Sequence, residues 1–79
     1  KVSPRVEWQW RSNVDPWSKD EVAEWRRYSD VENLLIEEAF QEKANSVILD
    51  LFCIDFLKGI QIRRTNPKKR RPVKRVVRE

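Results

Sequence analysis

Hydrophobic and polar residues alternate strictly over Arg5–Arg11 (RVEWQWR). Val6, Trp8 and Trp10 fall on one side and Glu7, Gln9 and Arg11 on the other, the period of two that marks a half-buried strand. Ser12 to Asp20 (SNVDPWSKD) is turn-rich, punctuated by Asn13, Asp15 and Pro16. A second strand is predicted over Val22–Tyr28, and then the period changes. Ser29-Asp30-Val31-Glu32 fits the S-x-x-E capping box, in which serine and glutamate satisfy free N–H groups of a first helical turn. Val31, Leu34, Leu35, Ala39 and Phe40 recur at helical spacing, which predicts a helix to about Ala44 with these residues buried and Glu32, Glu37 and Glu42 turned away. Glu38 breaks the pattern, because it lies four residues after Leu34 and three after Leu35 and so falls on or beside the buried face. A carboxylate there is costly unless it is paired or hydrogen-bonded.

The second half returns to short strands: Ser46–Phe52, Cys53–Phe56, Gly59–Arg64 and Pro72–Arg78, with turns at Lys58-Gly59 and Thr65-Asn66-Pro67. The order β-β-α-β-β-β-β predicts an α+β domain, a curved antiparallel sheet packed against a single α-helix.

A chain of 79 residues allows one domain with a small core, here residues 1–79, with residues 1–4 expected as a loose lead-in and 63–79 as a basic C-terminal strand or tail. The chain opens on Lys1 and is read as a fragment of a longer protein. Cys53 stands alone, so no intrachain disulfide can form. Histidine is absent, which removes the commonest general base and the commonest zinc ligand. Gly-rich phosphate loops and nucleophile–histidine pairs are also missing, so the sequence points to a binding module and not to an enzyme, with no metal or cofactor. No signal peptide or membrane-length apolar run is visible, and an intracellular protein, nuclear or cytoplasmic, is expected.

Charge is divided along the chain. Residues 1–62 hold 8 Lys/Arg against 12 Asp/Glu, a balance of −4, whereas residues 63–79 hold 9 Lys/Arg against Glu79 alone, a balance of +8. The basic end, Lys68 to Arg75 above all, reads as a nuclear import signal or nucleic-acid patch, as a solvated strand face, or as a source of one or two arginines that hold a phosphate. The aromatics Trp8, Trp10, Trp25 and Tyr28 also have two uses, filling the core or stacking on a base in a pocket, with core the favoured use of Trp8 and Trp25. Trp17, inside a loop, is either a lid folded onto the core or part of a ligand surface.

Taken in order, Trp8, Trp25 followed by Tyr28, the IEEAF helix with Glu38, Gln61-Ile62-Arg63-Arg64 and the basic last strand resemble the WWE domain over nearly the whole chain. The resemblance implies a half-barrel of about six strands with one helix. It also implies a module that recognises ADP-ribose, within poly(ADP-ribose) or at its end, and links ADP-ribosylation to ubiquitination. The ligand-binding positions carried over are Gln9, Trp25, Phe52, Gln61 and Arg71. Gln61 and Arg71 match the family's glutamine and phosphate-holding arginine. Phe52 keeps a ring where binding members carry tyrosine, and Gln9 stands where they carry an aromatic. Adenine is expected against Trp25 or Phe52, and the Trp17 loop is longer than in compact members. The partners implied are ADP-ribose and proteins modified by it, with the isolated domain a monomer. The residues leave two rivals open: a protein-interaction domain that has lost its ligand, and nucleic-acid binding through residues 63–79.

Overall fold

The computed structural model describes residues 5–78; the lead-in expected at residues 1–4 lies outside the described residues. Seven elements follow one another: β1 (Arg5–Arg11), β2 (Trp25–Arg27), α1 (Asp30–Gln41), β3 (Ser46–Ile48), β4 (Phe52–Asp55), β5 (Ile60–Arg63) and β6 (Asn66–Arg78). The strands form one open antiparallel sheet of six, in the order β2-β1-β6-β5-β4-β3, and the single helix packs on one side of it. The α+β architecture expected from the alternation is the architecture observed.

Three of the strands differ in extent from what their sequence suggests. The last strand begins at Asn66 and not at Pro72, and it is no tail: it pairs with β1 along one edge and β5 along the other. Between Ile62↔Arg70 and Arg63↔Asn66 the register jumps, leaving Pro67, Lys68 and Lys69 looped out of the ladder. Proline has no N–H to donate, so a bulge is where a strand tolerates it. The second strand is only Trp25–Arg27 because the chain before it is tied to side chains instead of to the ladder. Asn13, fully buried, accepts from Arg11 Nε at 2.8 Å and from the Glu24 amide at 2.8 Å, and donates to the Val22 carbonyl at 3.1 Å. Arg11 donates in turn to the carbonyl of Ser18 at 2.9 Å. The predicted Ser46–Phe52 strand is likewise split, by a turn closed by the Leu49 amide on the Phe52 carbonyl and held by Arg64, which donates to the Leu49 and Asp50 carbonyls.

The helix starts as its capping box requires: Ser29 Oγ accepts from the Glu32 amide while the Glu32 carboxylate reaches back to the Ser29 amide. It ends at Gln41, three residues before the expected Ala44. Lys43 takes a left-handed φ of 60°, and the Ala44 and Lys43 amides return to the Ala39 and Phe40 carbonyls, a Schellman close that stops the helix.

The buried face is rotated from the one that apolar spacing suggests. Ile36 is fully buried, while Val31, Leu34 and Leu35 are exposed. Polar contacts choose this rotation. Asn33 accepts from the Trp8 amide at 2.6 Å and donates to the Val6 carbonyl at 2.9 Å. Glu37 accepts from the Trp8 indole at 2.9 Å and takes a two-point contact from Arg75, at 3.0 and 2.8 Å. Phe40 then completes an edge-packed trio with Trp8 and Phe56. The carboxylate that needs a partner is therefore Glu37, one residue before Glu38, which is exposed. Around these contacts Trp8, Tyr28, Ile36, Leu49 and Ile54 make the core. Trp25 is not part of it; it lies half-buried on the outer side of the edge strand.

Hydrogen bonds from Arg75, outweighing the effect of burial, hold the Glu37 carboxyl down to about 2 from its ordinary 4.5. A depressed carboxyl stabilises the fold above its unfolded value and loses that contribution as pH falls through its folded one. Stability should therefore decline between about pH 4.5 and about pH 2, and the Glu37 share of the decline should vanish in Glu37→Gln. Removing the carboxylate leaves Arg75 and the Trp8 N–H without their partner. Glu37→Ala is expected to cost roughly 2–4 kcal/mol in denaturant unfolding, and Glu38→Ala less than about 0.5 kcal/mol. Equal losses would contradict the assignment. Asn13→Ala should release the Glu24 amide to rapid hydrogen exchange while core amides stay protected; unchanged protection at Glu24 would contradict its role.

Candidate functional site

In antiparallel pairs, directly opposed residues share a side of the sheet. Trp8, Trp10, Val73, Arg75, Arg71, Gln61 and Ile54 accordingly lie on the helix side. The helix packs chiefly over β1 and β3. Beyond it, toward the Asn66 end of β6, the same side of the sheet is uncovered and forms a cavity of about 480 Å³. Its floor is Trp10 from β1, Arg71 from β6 and Gln61 from β5, with Phe52 and Arg63 at the β4 and β5 side. The looped-out Lys68 and Lys69, with Arg70, form the rim, and Val14, Pro16 and Trp17 of the β1–β2 loop close the other flank. The size is that of a small-molecule site.

The floor is built from held groups. Gln61 is buried, and the Tyr28 hydroxyl donates to its Oε1. Burial, with the Glu32 carboxylate adding to it, raises the Tyr28 phenol far above its ordinary value, so the hydroxyl keeps its proton and stays a donor. That bond fixes the carboxamide orientation. Nε2 of Gln61 has no partner among the described residues, and Gln61 lines the cavity. Arg71 donates from one Nη to the Arg11 carbonyl at 3.0 Å and the Asn13 carbonyl at 2.6 Å, and its guanidinium lies 5.7 Å from the centre of the Trp10 ring. One edge of this arginine anchors the loop, and no bond among the described residues takes up Nε or the other Nη.

The electrostatics have one sign. Five of the residues lining the cavity are cations and none is Asp or Glu. The ion pairs among the described residues lie elsewhere, at Glu37–Arg75 and at Glu7 with Arg27 and Arg78. Gln61 Nε2 and the cationic lining all present donors, so a matching ligand is rich in acceptors and negatively charged.

Of the five positions singled out in the sequence, the structure brings Phe52, Gln61 and Arg71 together and leaves two apart. Gln9 lies on the outer side of β1, its amide donating to Glu7. Trp25 shares that outer side, with the Lys74 ammonium 4.3 Å above its ring. Trp10, Arg63 and Trp17 join the cavity in their place. The sequence signals for them were the alternation that puts Trp10 beside Trp8, the Gln61-Ile62-Arg63 alternation, and a tryptophan stranded in a loop. No group of His, Cys, Asp and Glu suited to a metal is present among the described residues. Nor is any described helix long and apolar enough to cross a membrane.

Among curated proteins, none matches this sequence. A family model described as the WWE domain matches residues 6–75. Domains of that family are binding modules tied to ubiquitination and ADP-ribosylation. The match runs from β1, through the helix that carries Glu37, to Arg75 on the last strand, and the chain belongs to the WWE domain family.

Proposed function

We propose that the chain is an ADP-ribose-recognition module and that the cavity on the helix side of the sheet is its site. The observation that carries this reading is the combination of aromatic walls with a floor and rim that offer only donors and positive charge. An adenine ring fits against Phe52. The phosphates are met by Arg71 and Arg63, with Lys68 and Lys69 at the rim, and Gln61 Nε2 donates to a ribose or phosphate oxygen. Gln9 and Trp25, on the outer side, take no part. Family membership supports the ligand class, since these modules serve pathways in which proteins carry ADP-ribose.

A second reading has its own observation. Val31, Leu34 and Leu35 form an exposed apolar side of the helix, as a protein partner would require. That surface and the cavity lie on different elements, so the two readings are separable.

Calorimetric titration with ADP-ribose and with iso-ADP-ribose tests the proposal. Binding is expected, weakened about tenfold or more by Gln61→Ala. Tyr28→Phe, which keeps the ring but frees the carboxamide, should weaken binding about three- to tenfold. Phe52→Tyr should tighten it by up to about fivefold by restoring a hydroxyl. No heat from either ligand at about 1 mM would remove the proposal. Retention on RNA that collapses with added salt would instead favour the basic strand as a nucleic-acid surface.

A further inference from the structure

We infer that Trp17 is a wall of the binding site, a base-stacking ring supplied by the β1–β2 loop and specific for ligands that carry a planar base. The inference rests on the ADP-ribose reading and adds to it the residue that selects the base.

The local sequence explains why a tryptophan stands there. Asp15-Pro16-Trp17-Ser18 is a turn: the Ser18 amide returns to the Asp15 carbonyl at 3.3 Å, and Asp15 Oδ1 accepts from the Trp17 amide at 3.1 Å. Proline presets the first central position of such a turn, and aspartate favours the residue before it. Trp17 therefore projects from a preformed corner. Its indole N–H reaches across to the Arg70 carbonyl at 3.1 Å, which docks the loop on β6. Even so, the residue remains 54% exposed. A ring that large filling the core would be buried, and one with no task would not be hydrogen-bonded across fifty-three positions of chain.

Trp17 is docked at β6 and Phe52 stands on β4, with Gln61 of β5 between them. Arg71 holds the base of the same loop through the Arg11 and Asn13 carbonyls, so the flank that carries Trp17 is tied to a cation of the floor. Rings on both flanks of a cationic floor are the arrangement that grips a base while its phosphates are neutralised. The loop thus provides on the helix side the aromatic that Gln9 does not provide on β1.

The test compares Trp17→Ala with the parent chain on two probes, ADP-ribose and ribose 5-phosphate, which share a phosphorylated ribose but not a base. Loss of a stacking ring should weaken ADP-ribose about ten- to hundredfold and leave ribose 5-phosphate, bound more weakly by both, unchanged. Trp17→Phe, which keeps a ring and loses the N–H, should fall between. Tryptophan emission gives a second readout: ADP-ribose should quench the parent chain and quench Trp17→Phe much less. ADP-ribose binding with equal affinity to parent and Trp17→Ala would overturn this inference and leave the ADP-ribose reading standing. Equal weakening of both probes would also overturn it. A parent chain that binds neither probe would overturn both readings together.

Discussion

The Glu37 carboxylate is the constraint on which the rest of the structure depends. It takes the Trp8 indole N–H and both reachable nitrogens of Arg75, and so joins the helix to β1 and β6 at a single point. The two strands are neighbours in the sheet, so this bond sets the rotation of the helix and the height at which it crosses them. The Ile36 side chain then has only one direction in which to be buried, and Phe40 closes on Trp8 and Phe56. A carboxylate among aromatics would be costly alone; paired and hydrogen-bonded, it specifies which face goes inward.

What the helix leaves uncovered is the cavity. Along β6 the basic residues have different fates, and the division follows from alternation. Arg75 faces the helix and is used up by Glu37. Arg71, four residues earlier on the same side, falls beyond the helix and divides itself between the loop carbonyls and the cavity. Lys68 and Lys69 are thrown out of the ladder by the register jump and reach the rim. Lys74, on the outer side, covers Trp25. A run that looks like an undifferentiated cluster of charge is a strand whose residues hold the fold, tether a loop and line a cavity in turn.

The features legible in the sequence are those written in local chemistry. The alternation of β1, the capping box at Ser29 and Glu32, the glycine turn at Gly59 and the Gln61-Arg63 strand each depend on a few neighbouring residues, and all are present. The rest depends on partners distant in the chain. Glu37 and Glu38 are adjacent and chemically alike; counting apolar neighbours favours Glu38, while the Trp8 indole and Arg75 decide for Glu37. Asn13 looks like any turn residue, and its burial reflects Arg11, Val22 and Glu24 closing around it. Phe52, Gln61 and Arg71 were carried over from the family resemblance, and they line one cavity because they stand on adjoining strands with one shared side. Gln9 and Trp25 belong to the opposite side, and side depends on pairing register, which no single strand reveals.

The most direct measurement of the central claim is a two-dimensional NMR titration of the isotope-labelled domain with ADP-ribose, following side-chain signals as well as amides. The Gln61 carboxamide, the Arg71 Nε–H and the Trp10 and Trp17 indoles should shift together along one saturating curve, while the Gln9 carboxamide and the Trp25 indole stay in place. Shifts that gather on Gln9, Trp25 and Lys74 would contradict a site on the helix side of the sheet.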